Sequence, residues 1–226
     1  MAHRTELDGI AKHSFLHSGR IVHISTEKTS RIDEKLSLGH FYEHKLLGYI
    51  TRVCRSGVFL DIGGNCGQHA VYFALFCPSS IVYCVEPLPE HIKLISKNIR
   101  DNELLNKVKI LPVAASDTVS PMRVTTNAVN FDRHYSAVGI PLDDCVSGPV
   151  TLIKIDVEGF EMSALRGLKE TIQRDLPFLF VECLSADALD ETSEFLASLS
   201  YRQHGEPFHS TMYEFRPTNS LESSAE

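Results

Sequence analysis

The chain has 226 residues and a formal net charge of −7, which gives no general attraction to nucleic acid or to an anionic membrane surface. Hydrophobic residues make up 43% and charged residues 23%, the balance of an ordinary globular protein with enough chain for one α/β domain and a substantial core. The longest apolar stretch, 70–78, is far short of a membrane span. Met1–Ile10 carries charges around no apolar centre, so no secretory signal is expected there. The cysteines at 54, 66, 77, 84, 145 and 183 occur singly, with neither C-x-x-C nor zinc spacing. Those in apolar runs read as small core residues, Cys66 as a filler in its loop, and a reducing cytoplasm is the default setting.

Residues 1–32 are polar and His-rich without a clear period, and a poorly packed lead-in is expected there. From Asp33 to Arg55, Leu36, Phe41, Leu46, Leu47, Ile50 and Val53 recur at helical spacing, with Gly39 dividing the stretch and Ser56-Gly57 ending it. The lead-in and this helical cap together make an N-terminal unit, 1–55. The main domain is expected over 56–216, with strand 58–62, helix 67–76, strand 81–85, helix 89–99 and strand 108–113. A less regular stretch, 117–148, precedes strand 150–156, helix 160–172, strand 178–183 and helix 187–199. This alternation implies a mostly parallel sheet with right-handed helical crossovers. Segments 200–204 and 211–216 are too close for a crossover and must form an antiparallel hairpin through Gly205-Glu206-Pro207. Residues 217–226, with Pro217, Asn219 and several serines, read as a disordered tail. Lys93, Lys97, Arg100, Lys107 and Lys109 fall on one helix and the next strand entry, and read as a solvated outer face.

The chemistry begins at Asp61-Ile62-Gly63-Gly64-Asn65-Cys66-Gly67, directly after the apolar run Val58-Phe59-Leu60. A buried strand ending in an acid and a glycine turn, followed by a helix, is how an α/β protein cradles a nucleotide-type cofactor. Gly63 and Gly67 allow a sharp turn and close approach of a ligand. Glu86 lies 19 residues beyond Gly67, about where a doubly wound fold places the carboxylate that grips a ribose. Gly64, Asn65, Pro87 and Ala115 are assigned to the same site. A dinucleotide loop would be G-x-G-x-x-G; here Asn65 occupies the middle glycine position and no Lys or Arg waits for a pyrophosphate. S-adenosylmethionine (SAM), which has no phosphate, suits such a loop, and Asp61 is expected to balance its positive end.

Residues 152–161 read Leu-Ile-Lys-Ile-Asp-Val-Glu-Gly-Phe-Glu. In an extended strand Lys154, Asp156 and Glu158 share one face, and three charges there need partners or a ligand. In an open parallel sheet, ligands bind just outside the carboxyl ends of the strands, which puts this cluster beside the glycine loop. Glu182 ends another central strand at the same edge. Glu161 opens the following helix, where an acid is favourable in its own right.

Together, the 61–67 loop, Glu86-Pro87, Leu142-Asp143-Asp144 and the block Lys154–Glu161 resemble the FkbM family of SAM-dependent methyltransferases. The resemblance takes in Phe41-Tyr42-Glu43 upstream and Glu182 downstream, and its K-I-D-x-E-G-x-E block is the most specific part. Gly64 stands where the family more often has alanine. The resemblance implies a single Rossmann-like class I methyltransferase domain that methylates a hydroxyl of a sugar, glycan or natural product. Asp156, which also borders the cofactor, is the expected base, with Lys154 orienting it and Glu158 and Glu182 binding acceptor hydroxyls. The same acids could hold a divalent cation, although no ligand spacing in the sequence demands one, and no metal is assigned.

His69, His134 and His209 are alternative bases, and Tyr135 and Tyr213 are candidate pocket walls. Phe208 and His209, in the final hairpin, are expected to hang over the acceptor. A nicotinamide oxidoreductase is disfavoured by the loop and by the lack of a Tyr-x-x-x-Lys pair near the central strands. A nucleic-acid ribose methyltransferase would bring a basic face, and a non-catalytic SAM-binding module would not need the Lys154–Asp156–Glu158 set. A hydroxylated acceptor is therefore the expected partner, with neither nucleic acid nor membrane.

Overall fold

The computed structural model describes residues 9–128, 131–209 and 211–218, and only the backbone of 125–128 and 131–134. The chain opens with an antiparallel pair, β1 (Ile10–His17) and β2 (Arg20–Glu27), then α1 (Arg31–Ser37) and α2 (His44–Val53). Next come β3 (Gly57–Ile62), α3 (Gln68–Phe76), β4 (Ser79–Val85), α4 (Pro89–Asp101) and β5 (Val108–Leu111). The short β6 (Ala114–Ala115), β7 (Ser120–Ala128) and β8 (Phe131–Ile140) form a separate three-stranded sheet. β9 (Val150–Ile155), α5 (Glu161–Arg166), α6 (Lys169–Asp175), β10 (Phe178–Glu182), α7 (Ala186–Ser198), β11 (Tyr201–Gln203) and β12 (Met212–Pro217) complete the chain.

The main sheet runs β11-β12-β10-β9-β3-β4-β5. All its pairings are parallel except those of β12, which lies antiparallel between β10 and β11. The chain winds outward from β3 to β5, then returns to β9 on the other side of β3. That reversal opens a crevice at the carboxyl ends of β3 and β9, the place where doubly wound sheets bind ligands. Every residue of β3 is buried, as both faces of a central parallel strand are covered. Alternation sends Phe59 into the core shared with α2, α3 and α4, and Val58, Leu60 and Ile62 into the core shared with α5, α6 and α7.

The expected alternation and terminal hairpin are present, and four expectations need correction. The lead-in is not poorly packed, because Val22 and Ile24 of β2 are buried in the core. The stretch 117–148 holds the β7–β8 antiparallel ladder. The tail does not begin at 217, since Pro217 pairs with Tyr201 and the Thr218 amide donates to Ser200; residues 219–226 lie outside the described residues. The single helix expected over 160–172 is broken between α5 and α6, where the chain passes Ser116. A Cβ at Gly167 would overlap the Ser116 carbonyl. Asp143 of the Leu-Asp-Asp motif then starts α6, accepting the amides of Glu170 and Thr171. Among the described residues no helix is long and apolar enough to cross a membrane.

Candidate active site

After β3 the chain turns through Gly63 (φ 85°), Asn65 (φ 50°) and Gly67 (φ 78°) before entering α3. The amides of Gly63 and Gly64 both donate to the Val85 carbonyl at 3.0 Å. A Cβ at Gly63 would overlap the Asp156 carbonyl, and one at Gly64 would collide with the buried Cys84 sulfur. The departure from the family's alanine at Gly64 thus has a cause in Cys84. Glu86 locks the turn, its Oε2 accepting the Asn65 amide at 2.8 Å and its Oε1 the Leu88 amide at 3.0 Å. His91 Nδ1 lies 3.3 Å from Oε1. Burial opposes a charge on His91, but the Glu86 carboxylate overrides it and raises the imidazole pKa. Glu86 Oε2 keeps a second lone pair for a ligand hydroxyl, whereas Oε1 is shared between the Leu88 amide and His91.

Asp61 and Lys154 are register partners on β3 and β9. Their side chains leave the sheet on the α3 side, opposite to Ile62 and Ile155. Asp61 is fully enclosed, with 0% exposure, and is absent from the cavity wall. Burial pushes its carboxyl pKa up to about 6 against the pull of Lys154. The expectation that Asp61 meets the positive end of a cofactor is therefore corrected: its charge sits beneath the loop, beside Lys154.

Lys154, 1% exposed, donates from Nζ to Asp156 Oδ2 at 2.9 Å. Burial alone would strip its proton, but Asp156, Asp61 and Glu43 raise its pKa instead. Asp156 is already past the strand, with its amide bonded to Ile62 O at 3.0 Å. Burial works against its charge, and the Lys154 ammonium more than compensates, holding the carboxyl below its usual range. Glu158 lies further along the loop in the left-handed region (φ 53°). Lys154, Asp156 and Glu158 do not share a strand face, since β9 ends at Ile155; the loop turns Asp156 onto the lysine and sets Glu158 beside Asp156.

Glu182 joins them from the end of β10, its Oε1 accepting from Thr211 at 3.1 Å. Its carboxyl is pushed up to about 8 by burial and by the neighbouring Asp156. One oxygen each of Asp156, Glu158 and Glu182 lie within 4.8 Å of one another. Glu161 has a structural role, with Oε1 accepting the amides of Val157 and Gly159 and so fixing the loop.

A cavity of about 700 Å³ joins these parts. Its wall includes Gly63, Gly64, Asn65, Glu86, Pro87 and Ala115 together with Lys154, Asp156, Glu158 and Glu182. Gly67, though in the loop, supports it from behind, where a Cβ would press on Ile95. The sequence reading missed part of the wall: Glu27, Ser30, Arg31 and Ile32 around the start of α1, Tyr42 and Glu43 before α2, Gln68 at the start of α3, and Met122 and Val124 of β7. One backbone signal marks the site. Glu43 (φ 56°), Asn65 and Glu158 are non-glycine residues in the left-handed region, and all three line the cavity; such strain gathers at functional sites.

Of the alternative bases, His69 lines the cavity, with its Nε2 3.3 Å from Glu43 Oε2. The His134 side chain lies outside the described residues. His209 stacks on Tyr42 with centroids 6.5 Å apart, without joining the wall. Phe208 does not hang over an acceptor. It packs on Tyr49 at 4.9 Å and Phe180 at 6.1 Å, filling the core under the hairpin. Tyr135 donates to Glu90 at 2.6 Å and Tyr213 packs against the core, both outside the wall.

Residues 61–203 match the family described as Methyltransferase FkbM domain. Among solved structures, the chain is similar to an FkbM methyltransferase from Methylobacillus flagellatus KT, with 20% identity and a TM-score of 0.57. That match covers 71% of this chain and 43% of the other, so this chain spans less than half of that protein. A putative rRNA-methylase from Clostridium thermocellum (10% identity, TM-score 0.55) is covered over 93% of its length by 76% of this chain. An rRNA methylase from Streptococcus thermophilus (13% identity, TM-score 0.53) is covered over 95% by 77%. At these identities the likenesses show the fold alone. No curated protein sequence matches the chain. The family match takes in more than half of the chain and spans the glycine loop, Glu86, the Lys154–Glu161 block and Glu182: the chain belongs to the FkbM family of methyltransferases.

Proposed function

We propose that the chain transfers the methyl group of SAM to a hydroxyl oxygen of a sugar, glycan or natural product. The observation that carries this reading is the meeting of the Lys154–Asp156 pair with Glu158 and Glu182 in the wall of the glycine-loop cavity. The residues suit the donor. The cavity has the size of a small-molecule site, roughly 300–1,000 Å³. Gly63 and Gly64 bring bare backbone to its wall, Glu86 offers a lone pair to a ribose, and residues 61–67 hold no Lys or Arg for a phosphate. When bound, SAM supplies a methyl group activated on a sulfonium centre.

The chain's own task is alignment and proton handling. A hydroxyl is a poor nucleophile and gains from a positioned base as its proton becomes acidic. Asp156 is kept ionised by Lys154 and receives that proton. Glu182, protonated at neutral pH, donates a hydrogen bond that orients the hydroxyl oxygen, and Glu158 accepts from a neighbouring hydroxyl. Lys154, fixed under 1% exposure, holds Asp156 in place.

The test is Asp156→Asn, assayed by mass spectrometry for methyl transfer to a panel of hydroxylated acceptors. Turnover should fall by roughly two to four orders of magnitude while donor affinity stays within a few-fold. Near-normal turnover removes Asp156 as the base. Loss of wild-type turnover on adding a chelator, restored by magnesium, would move the proton chemistry to a cation held by the three acids.

A further inference from the structure

The enclosure of Asp61 leaves a question of charge. A donor with an α-amino-acid end carries an ammonium and a carboxylate, and the acid of the glycine motif is not on the wall to meet the first. Another acid is. Glu43, just ahead of α2, is 8% exposed, lines the cavity and is delivered there by a left-handed backbone. Its close contact is His69, whose imidazole pKa lies well below the usual value because of burial and the nearby Lys154. The His69 ring is neutral, and the Lys154 ammonium, engaged by Asp156 at 2.9 Å, only partly offsets the burial that raises the Glu43 pKa. A buried carboxylate in this position favours a cationic ligand group.

Beside it is a second polar group without a protein partner. Gln68, the first residue of α3 and the neighbour of His69, is 2% exposed, and neither atom of its carboxamide has a hydrogen-bond partner among the described residues. It lines the same cavity. Burying a carboxamide with all its hydrogen bonds unmade is costly, so such groups in native folds point to a missing partner. The Asp61 carboxylate faces the Ala70 amide in the first turn of α3, so the carboxamide of Gln68, not the helix end, is the group left for an anion.

We propose that Glu43 and Gln68 hold the amino-acid end of the donor, Glu43 taking the α-ammonium and Gln68 taking the α-carboxylate. The assignment rests on SAM being the donor. It places an essential donor contact on a residue outside the 61–203 family match.

The experiment needs no acceptor. Calorimetry on the full chain compares S-adenosylhomocysteine with 5′-methylthioadenosine, which keeps the nucleoside and thioether but lacks the amino-acid end. Glu43→Gln and Gln68→Leu should each weaken S-adenosylhomocysteine binding by about ten- to a hundredfold, the worth of one charge-assisted hydrogen bond. Both should leave methylthioadenosine within about threefold, too small a change for a lost hydrogen bond. Gln68→Glu, which keeps the shape and adds a negative charge, should weaken S-adenosylhomocysteine more than Gln68→Leu does, again sparing methylthioadenosine. Unchanged S-adenosylhomocysteine affinity in the variants, or a parallel loss of both ligands, overturns the proposal. A wild-type protein that binds neither ligand overturns the donor reading itself.

Discussion

Asp156 and Glu182 end adjacent strands and face one another, so they cannot both ionise without cost. Lys154 decides between them. Its ammonium touches Asp156 at 2.9 Å, and the proton goes to Glu182, whose carboxyl is pushed up from an ordinary 4.5 to about 8. Over that pH interval the folded chain holds a proton that the unfolded chain has released, so this group's contribution to stability falls as pH rises. The contribution is complete below about 4.5 and gone above about 8. Glu182→Gln keeps the shape and removes the titration. Its melting temperature should therefore drop less than that of the wild type between pH 5 and pH 9. Differential scanning calorimetry at matched ionic strength measures this, and identical pH slopes for the two proteins would show that Glu182 ionises like an exposed acid. That these acids meet at one edge of the sheet was legible in the sequence because strand-end acids stand out. Their division of labour was not, since it depends on distances between side chains 26 residues apart.

At the scale of elements, the N-terminal hairpin is held by an arrangement that no local window of sequence reveals. Asn98 and Asn102, one turn apart on α4, act on β2 as a neighbouring strand would. Asn98 Oδ1 accepts the Ser25 amide at 2.7 Å and its Nδ2 donates to the Ser25 carbonyl at 2.8 Å. Asn102 does the same for His23, at 3.0 and 2.6 Å. The spacing works because four helical residues advance about 6 Å and two strand residues about 6.6 Å. Asn98 Nδ2 also donates to Cys66 O in the glycine loop at 2.7 Å, so one side chain joins hairpin, helix and loop. Residues 1–32 read as a loose lead-in because β2 has polar residues where it meets these amides, and the partners lie more than 70 residues away. Asn98→Leu keeps the volume and leaves three buried backbone groups unpaired. It should cost about 2–4 kcal/mol, measured as a lower urea midpoint with an unchanged slope. A loss under about 0.5 kcal/mol, the range of ordinary surface changes, would mean that water replaces the amide.

For the whole molecule, the parallel core was legible because strands buried on both faces give continuous apolar runs separated by helical periods. The wall of the cavity was less so, since Glu27, Arg31 and Val124 arrive from segments without such a period. The fold is shared with rRNA methylases, and charge argues against carrying their substrate over. The chain has a net charge of −7, and the cavity wall presents Asp156, Glu158 and Glu182. Of the basic residues of α4, Lys97 is paired with Asp101, and Asn98 and Asn102 turn another face onto β2. Non-specific nucleic-acid binders reach dissociation constants of roughly 1–100 μM at physiological salt through several released counterions. In a filter-binding titration with a structured RNA at low salt, no retention is expected up to about 100 μM, the weak limit of that range. Saturable binding that weakens steeply as salt is raised would reveal a basic surface assembled by the fold, and would shift the acceptor from a small hydroxylated molecule to a ribose in RNA.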